Sequence, residues 1–254
     1  ASGGTYMQSL QIGFVGLGVM GAPMATHLAR AGHRLRLHDA NAATARQLAQ
    51  TLGGAAAAAD TPAALAEGCD LVVTMLPNGQ VVQQVALGEQ GLLQGLKRGA
   101  LLLDTSSAEP WLTRQTAAAL AERGVAMVDA PVSGAQWGAE AAELVFMVGG
   151  SAADLQRVRP LLERMGRAVH HVGPLGAGHM MKCINNLITS MTFSATMEGL
   201  TLGEWTDANV PTRLRETFRQ LGLQGRVGKT TFVENKLDTR HRLAHLAFNI
   251  LRTE

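Results

Sequence analysis

Lys182 is the residue of this sequence whose type and surroundings best suit proton transfer. The chain holds few lysines, and they are Lys97, Lys182, Lys229 and Lys236. In a mostly apolar helical stretch, Gly178, Lys182 and Asn186 are spaced four apart and therefore share one helix face. An unpaired ammonium is costly to bury, so the pattern predicts an anionic partner or ligand beside Lys182.

A lysine in such surroundings can act as a general acid or base. Partial burial lowers the pKa of an amine from its model value of about 10.4 toward neutral pH, a shift that arginine does not undergo. The competing interpretation is that the stem of Lys182 covers an apolar face while its ammonium reaches water. For Asn185 and Asn186 the competing interpretation is hydrogen bonding within the helices. We favour proton transfer because the neighbours of Lys182 are so apolar.

A glycine-rich turn between an apolar strand and a helix is the second candidate site. It consists of Gly16, Leu17, Gly18, Val19, Met20 and Gly21. In a dinucleotide-binding turn of this pattern, the first glycine permits the tight turn and the second lets the backbone approach a pyrophosphate. The third allows helix and strand to pack closely, and the helix N-terminus supplies positive potential. The competing interpretation is an ordinary glycine-rich turn.

Asp39 favours the dinucleotide interpretation. It ends the second predicted strand at the distance from the turn that such domains require. Its carboxylate can accept hydrogen bonds from both hydroxyls of an adenosine ribose and would repel a 2′-phosphate. The sequence therefore predicts NAD as the cofactor in preference to NADP. Arg36 and His38, both basic and close by, keep NADP as the alternative.

The elements that position these residues alternate between short apolar strands and helices. Strands are predicted at residues 12–15, 35–37, 55–59, 71–76, 101–103 and 125–128, and helices at 22–30, 42–52 and 152–165. Thr61 and Ser151 are predicted to cap helices. Strands that are apolar on both faces are typical of parallel sheets covered by helices. The predicted fold is α/β, with a Rossmann-like, doubly wound, mostly parallel sheet followed by a smaller all-helical domain.

A change of character near His171 predicts where the first domain ends. Residues 173–178 are rich in glycine and predict a flexible hinge, and a helical pattern follows up to Trp205. We therefore predict a dinucleotide-binding domain over residues 7–172 and a helical domain over residues 173–254. Residues 1–6 fit no apolar pattern and belong to neither.

Composition narrows the classes of partner. A hydrophobic fraction of 46% with 17% charged residues is that of a globular chain. The net charge of +2 argues against nucleic acid, no apolar run is long enough for a membrane span, and no metal-ligand spacing is present. With only Cys69 and Cys183 as cysteines, a reducing compartment is the simpler interpretation, so we expect a cytoplasmic protein.

Together these residues resemble the β-hydroxyacid dehydrogenase family, which includes 3-hydroxyisobutyrate dehydrogenases and tartronate semialdehyde (2-hydroxy-3-oxopropionate) reductases. The similarity runs from about Gln11 to Glu204. It rests on residues 13–21, Asp104-Thr105-Ser106-Ser107, Asp129-Ala130-Pro131-Val132-Ser133-Gly134, and the set Gly178, Lys182 and Asn186. The resemblance implies an NAD-dependent oxidoreductase that acts on a small carboxylate-bearing 3-hydroxy acid or its semialdehyde. It also implies a homodimer or homotetramer.

The resemblance assigns roles to the residues on the substrate side. It implies that Lys182 is the general acid or base and that Asn186 orients the substrate. Ser133 and Gly134 would offer hydroxyl and backbone donors to the substrate carboxylate. From the residues alone, positions 131–138 predict only a loop after a strand.

On the cofactor side, the resemblance adds residues beyond the glycine turn. Leu76 and Pro77 would line the adenosine ribose, and Ser107 would lie beside the nicotinamide. The competing interpretations are a strand-ending turn for the first two residues and a helix cap for Ser107.

The sequence departs from the family's pattern in two places. Further helices with a Lys-Asp pair normally follow, whereas this sequence ends with Leu251-Arg252-Thr253-Glu254. We therefore expect a C-terminal domain that is shortened relative to the family, or one in which Arg252 substitutes for that lysine. Gln136 and Trp137 stand where small or charged residues are frequent, which predicts an altered substrate preference.

Three alternatives accompany this interpretation. The abbreviated C-terminus suggests a non-catalytic NAD-binding module. A relative of 6-phosphogluconate dehydrogenase shares the glycine turn, but the short helical region leaves little room for that family's larger second domain. Imine reductases share the turn and fold, but their proton-donor position usually lacks a lysine.

Overall fold

The computed structural model describes residues 9–206 of the chain. The chain divides into two compact units, Ala1–Cys183 and Ile184–Glu254. The domain boundary that the sequence predicts at residue 173 remains a prediction. The part of the predicted helical domain from Asp207 onward, with Arg252 as the expected substitute for the family's lysine, lies outside the described residues.

One sheet organises the first unit. Within residues 9–206 its strands are β1 Gln11–Val15, β2 Arg34–His38, β3 Ala56–Ala58, β4 Leu71–Thr74, β5 Leu101–Asp104, β6 Ala126–Asp129, β7 Val132–Ser133, β8 Leu144–Gly149 and β9 Gly166–Gly173. Their order is β3-β2-β1-β4-β5-β6-β8-β7, and β9 pairs with β8. The first six strands pair in parallel, so their carboxyl ends meet at one edge of the sheet. The prediction of a mostly parallel, Rossmann-like sheet is confirmed.

Helices connect these strands. They are α1 Gly21–Arg30, α2 Ala42–Leu52, α3 Pro62–Ala66, α4 Gly79–Leu87, α5 Leu92–Gly95, α6 Pro110–Glu122, α7 Ala135–Glu140, α8 Ala152–Met165 and α9 Ala177–Thr206. The predicted caps are confirmed, because the side chains of Thr61 and Ser151 accept hydrogen bonds from first-turn N–H groups of α3 and α8. None of the helices within residues 9–206 has the length and hydropathy to cross a bilayer.

Apolar side chains cover both faces of the parallel strands. Along β5, Leu101 and Leu103 pack into one buried cluster, whereas Leu102 packs into a second. The alternation arises because successive strand residues point to opposite faces of the sheet. All three leucines are fully buried, and each stabilises the fold by about 1.5–3 kcal/mol. Burial on both faces explains why the sequence of this strand is continuously apolar.

The sheet changes direction after β6. Strand β8 runs antiparallel to β6 and β7, and β9 runs parallel to β8. Residues 131–138 hold β7 and the start of α7, so the prediction of a simple loop there was wrong. Two strand residues and six helical residues are too few for periodicity to reveal.

Three smaller predictions also differ from the structure. The strand predicted at 55–59 is only β3, because the 3-10 turn Gly53–Ala55 precedes it. Strand β4 ends at Thr74, before Pro77, whose missing N–H cannot extend a strand ladder. The predicted hinge at 173–178 was wrong for its last two residues, because the helix predicted up to Trp205 already begins at Ala177.

Candidate active site

The glycine turn lies between β1 and α1 at the carboxyl edge of the sheet. Gly16 has a φ of 91°, and its N–H donates to the carbonyl of His38 at 3.0 Å. A side chain at Gly16 would strike the carbonyl oxygen of Met75, and one at Gly21 would strike that of Gly16. By contrast, Gly18 is exposed and has no atom within 4 Å of the place where a Cβ would stand.

This geometry fits a bound pyrophosphate. The open space at Gly18 would let a phosphate approach the backbone, and the N-terminus of α1 follows directly. Leu17 is buried, Met20 is half-buried and Val19 is 66% exposed. Among the predicted nucleotide-binding residues of the turn, Gly18 and Val19 are therefore accessible to a ligand, whereas Leu17 is packed inside the protein.

Asp39 lies directly after β2 and is joined to the glycine turn. One carboxylate oxygen accepts the N–H of Leu17 at 2.8 Å, and the other accepts the N–H of Asn41 at 2.9 Å. Arg36 donates to the carbonyl of Glu67 at 2.7 Å, and a ring nitrogen of His38 lies 3.0 Å from the carbonyl of Ala59. Both basic side chains are thus engaged with backbone carbonyls rather than directed at a shared anion site.

The segments after β4 and β5 meet beside the turn. The N–H of Leu76 donates to the hydroxyl of Ser106 at 2.9 Å, and a Cβ at Gly16 would lie 3.0 Å from the side chain of Leu76. Pro77 and Ser107 follow and are exposed. The structure therefore places Leu76 beside the glycine turn, with Pro77 next to it in the chain.

Ser133 and Gly134 lie where the sheet reverses. Ser133 pairs with Val145 in the antiparallel strand β8. Gly134 is buried and has a φ of 138°. The next residue, Ala135, has a φ of 53°, a conformation that costs a non-glycine residue about 1–2 kcal/mol. Gln136 and Trp137 belong to α7 and are exposed.

Lys182 is half-buried in the second turn of α9. Burial lowers the pKa of its amine from the ordinary lysine value. No hydrogen bond or ion pair joins its ammonium to another of the residues that the structure describes. Asn185 and Asn186 follow on the same helix, are exposed, and belong to the second compact unit.

A buried polar cluster joins the start of α9 to the sheet, and sequence reasoning gave its members no role. Asp104 and Asp129 are register partners at the ends of β5 and β6. His179 of α9 places its ring nitrogens 3.6 Å from Asp104 and 3.8 Å from Asp129, and all three side chains are 0% exposed. The available signal was an aspartate at the end of each of two apolar strands.

Asp129 caps α9 from outside the helix. Its two carboxylate oxygens accept the N–H groups of Gly176 at 2.7 Å and His179 at 2.8 Å. First-turn N–H groups of a helix have no partner within the helix, so these bonds satisfy donors that would otherwise be buried unpaired. A side chain at Gly178 would strike the carbonyl of Met147, so the helix packs directly on β8.

Comparison with known proteins identifies an NAD-binding domain in this chain. Residues 11–173 match the family described as the NAD binding domain of 6-phosphogluconate dehydrogenase. The chain is 45% identical over 193 residues to an NAD-dependent L-serine dehydrogenase of Pseudomonas aeruginosa, covering 76% of this chain and 64% of that protein. It is 42% identical over 192 residues to a 3-hydroxyisobutyrate dehydrogenase of the same organism, covering 76% of this chain and 63% of that protein.

A solved structure indicates the same family. The fold matches that of Mycobacterium tuberculosis 3-hydroxyisobutyrate dehydrogenase with L-serine, with a TM-score of 0.75 and 34% identity, covering 90% of this chain and 74% of that one. The match to the Pseudomonas relatives spans less than two thirds of their length. The family predicted from the four motifs is thus confirmed: this chain belongs to the β-hydroxyacid dehydrogenase family, and residues 11–173 form its NAD-binding domain.

Proposed function

We propose that this protein is an NAD-dependent dehydrogenase or reductase that interconverts a small 3-hydroxy acid and its semialdehyde, with Lys182 as the general acid or base. The observation that carries the proposal is that Lys182 is half-buried and its ammonium has no partner among the described residues. Such a charge is costly unless an anion binds beside it. A substrate carboxylate supplies that anion.

Lys182 would transfer the proton of the substrate oxygen. In the oxidising direction its free amine removes the proton of the hydroxyl group, and in the reducing direction its ammonium protonates the carbonyl oxygen. When bound, NAD⁺ would supply the hydride acceptor for oxidation, and NADH would supply the hydride donor for reduction. Because burial lowers the pKa of Lys182, the free amine becomes available at a lower pH than for an ordinary lysine. Oxidation should therefore rise with pH through the pKa of Lys182, and reduction should fall.

The remaining predicted residues would bind and orient. Ser133 and Gly134 would offer hydroxyl and backbone donors to the carboxylate, and Asn186 would orient the substrate. The relatives support this class of substrate, because the names of the two Pseudomonas proteins specify L-serine and 3-hydroxyisobutyrate, and a third relative, 37% identical over 193 residues, is a 3-sulfolactaldehyde reductase of Escherichia coli. Each of these compounds carries an acidic group near a hydroxymethyl or aldehyde carbon.

NAD would be held by the residues that surround the glycine turn. The turn itself, residues 16–21, would bind the pyrophosphate, and Asp39 would accept the ribose hydroxyls. Leu76 and Pro77 would line the ribose, and Ser107 would lie beside the nicotinamide. The carboxylate of Asp39 would repel a 2′-phosphate, which supports NAD over NADP.

We further propose a cytoplasmic homodimer or homotetramer. The family resemblance suggests the assembly, and the two cysteines suggest a reducing compartment. Light scattering of the purified protein tests the assembly, and a monomeric mass at all concentrations would contradict it.

Turnover assays test the proposed reaction. L-serine, 3-hydroxyisobutyrate and glycerate are supplied with NAD and NADP in parallel, and absorbance of the reduced nicotinamide is followed. Lys182→Arg keeps the positive charge but cannot transfer the proton, so kcat should fall by about 10²–10⁴-fold while NAD affinity is retained. The matched control is Lys97→Arg, because Lys97 pairs with Asp70 at the surface. A protein that binds NAD but turns over none of the acids would favour the non-catalytic module.

A further inference from the structure

His179 is a fully buried ionisable side chain beside the candidate active site. Its Nε2 lies 3.1 Å from the carbonyl oxygen of Ser106, and its Nδ1 lies 2.7 Å from the hydroxyl of Thr113. A carbonyl oxygen can only accept, so Nε2 carries a proton and donates it to Ser106. Both ring nitrogens are therefore engaged at 0% exposure.

The main chain of the same residue is fixed as well. The N–H of His179 donates to Asp129 at 2.8 Å, and the N–H of Gly176 donates to the other oxygen of that carboxylate. One residue thus joins α9 to the segment after β5, to α6 and to the end of β6. Neither sliding nor rotation of the first helical turn can occur without breaking several buried hydrogen bonds.

Asp104 adds a reason for a histidine at this position. One of its oxygens accepts from the hydroxyl of Thr74 at 2.9 Å and from the N–H of Ser106 at 3.1 Å. The other oxygen is buried without a hydrogen-bond partner, and Nε2 of His179 lies 3.6 Å from it. An apolar side chain at 179 would leave this second, buried oxygen with no N–H dipole facing it.

Lys182 follows His179 by three residues, which is about 4.5 Å along the helix axis. The position of the Lys182 backbone is therefore determined by the anchor one turn earlier. The hydroxyl of Ser106 also accepts the N–H of Leu76. The same anchor thus connects the lysine helix with a segment that would contact the nucleotide.

We propose that His179 is the positioning residue for Lys182: its buried imidazole, held by Ser106 and Thr113 beside Asp104 and Asp129, sets the depth and rotation of the first turns of α9. This role deepens the proposed function and rests on it only for the chemistry of Lys182. The position of the amine itself can be measured without any turnover.

Limiting acetylation of the full chain between pH 6 and 11, followed by peptide mass spectrometry, gives the pH midpoint at which Lys182 is labelled. This midpoint depends on how far the amine is exposed to solvent. Acetylation of Lys97 serves as the internal reference for reagent activity. His179→Leu should release Lys182 toward solvent and raise the midpoint of its labelling curve by about one pH unit. The matched control is His33→Leu, which replaces another buried histidine, at the amino end of β2. That control should leave the Lys182 midpoint unchanged.

A conservative variant separates positioning from simple loss of packing. The side-chain amide of His179→Gln can still donate to the carbonyl of Ser106, so it should restore most of the wild-type midpoint. Where turnover is present, His179→Leu should lower kcat by about 10–100-fold with little change in the KM for NAD. His179→Gln should recover most of that loss.

An unchanged Lys182 midpoint in folded His179→Leu would overturn the proposal, as would an equal shift in His33→Leu. If His179→Leu does not fold, Thr113→Val decides, because it removes only the hydroxyl that meets Nδ1. A smaller shift in the same direction is expected, and no shift would overturn the proposal. Absence of turnover in the wild type would contradict the proposed function alone, since the labelling result stands independently.

Discussion

The carboxylate of Asp39 accepts the backbone N–H of Leu17 at 2.8 Å, which ties the end of β2 to the glycine turn after β1. A single acidic residue therefore does two things. It orders the turn, and in the proposed cofactor site it would place negative charge where a 2′-phosphate would extend from an adenosine ribose.

Asp39→Asn should shift cofactor preference toward NADP. The amide retains an acceptor for the N–H of Leu17 but removes the charge, so the ratio of kcat/KM for NAD to that for NADP should fall about tenfold or more. Asp70→Asn is the control, because Asp70 immediately precedes β4 at the opposite edge of the sheet. Equal turnover with both nucleotides in the wild type would contradict the argument.

Gly18→Ala should weaken NAD binding without unfolding the protein. The added methyl group meets no protein atom within 4 Å, but it would occupy the approach to the pyrophosphate. We expect the Kd for NAD to rise about tenfold or more, with an unchanged Tm. Gly54→Ala is the matched control, because its methyl group also meets no protein atom within 4 Å. Unaltered NAD titrations for Gly18→Ala would place the nucleotide elsewhere.

The cofactor half of the site was predictable from sequence because its signals are local. The pattern of Gly16, Gly18 and Gly21 specifies a backbone shape within six residues, and Asp39 follows at a typical spacing. Apolar runs likewise predicted the parallel strands. The family was then inferred from the resemblance in four motifs taken together, because the residue spacing within any one motif does not identify it.

The anchor of α9 was not predictable, because its members are distant in the sequence. The ring of His179 meets Ser106 across 73 positions, and its N–H meets Asp129 across 50. Such pairings depend on strand order and on which strand ends lie side by side. Strands β7, β8 and β9 were also not predicted. For β7 the reason is its length, because two residues are too few to show an alternating pattern.

Ala135→Gly should relieve backbone strain next to Ser133 and Gly134. The φ of Ala135 is 53° and that of Ala142 is 56°, values that glycine adopts without strain. Allowing for the chain entropy of glycine, each replacement should raise the unfolding free energy by up to about 1 kcal/mol, as measured in urea. Only Ala135→Gly should also alter the KM for the acid. Matching KM changes in Ala142→Gly would contradict a local effect.

Stability should fall as the pH decreases below about 6.5 because of His33. Burial, with Arg164 as a smaller contributor, lowers the pKa of His33 in the folded state. The unfolded chain therefore binds this proton more readily, and protonation favours unfolding between the folded and unfolded pKa values. His33→Asn retains an acceptor for the N–H of Leu10 and should flatten that part of the urea-stability profile.

The exposed His170 provides the control for this measurement. His170→Asn should leave the pH dependence of the unfolding free energy as it is in the wild type. A profile for His33→Asn as steep as that of the wild type would assign the acid sensitivity to other groups.

Two residues without side chains, Gly149 and Gly178, let α9 rest on β8. A methyl group at Gly149 would strike the carboxylate of Asp129, and one at Gly178 would strike the carbonyl of Met147. Helix α9 and strand β8 are therefore already as close as their backbones allow. A larger side chain at either glycine would clash, so this distance cannot be adjusted in small steps. Within the proposed function, a change of acid preference would therefore come from segments other than this contact, while the position of the first turn of α9 stays constant.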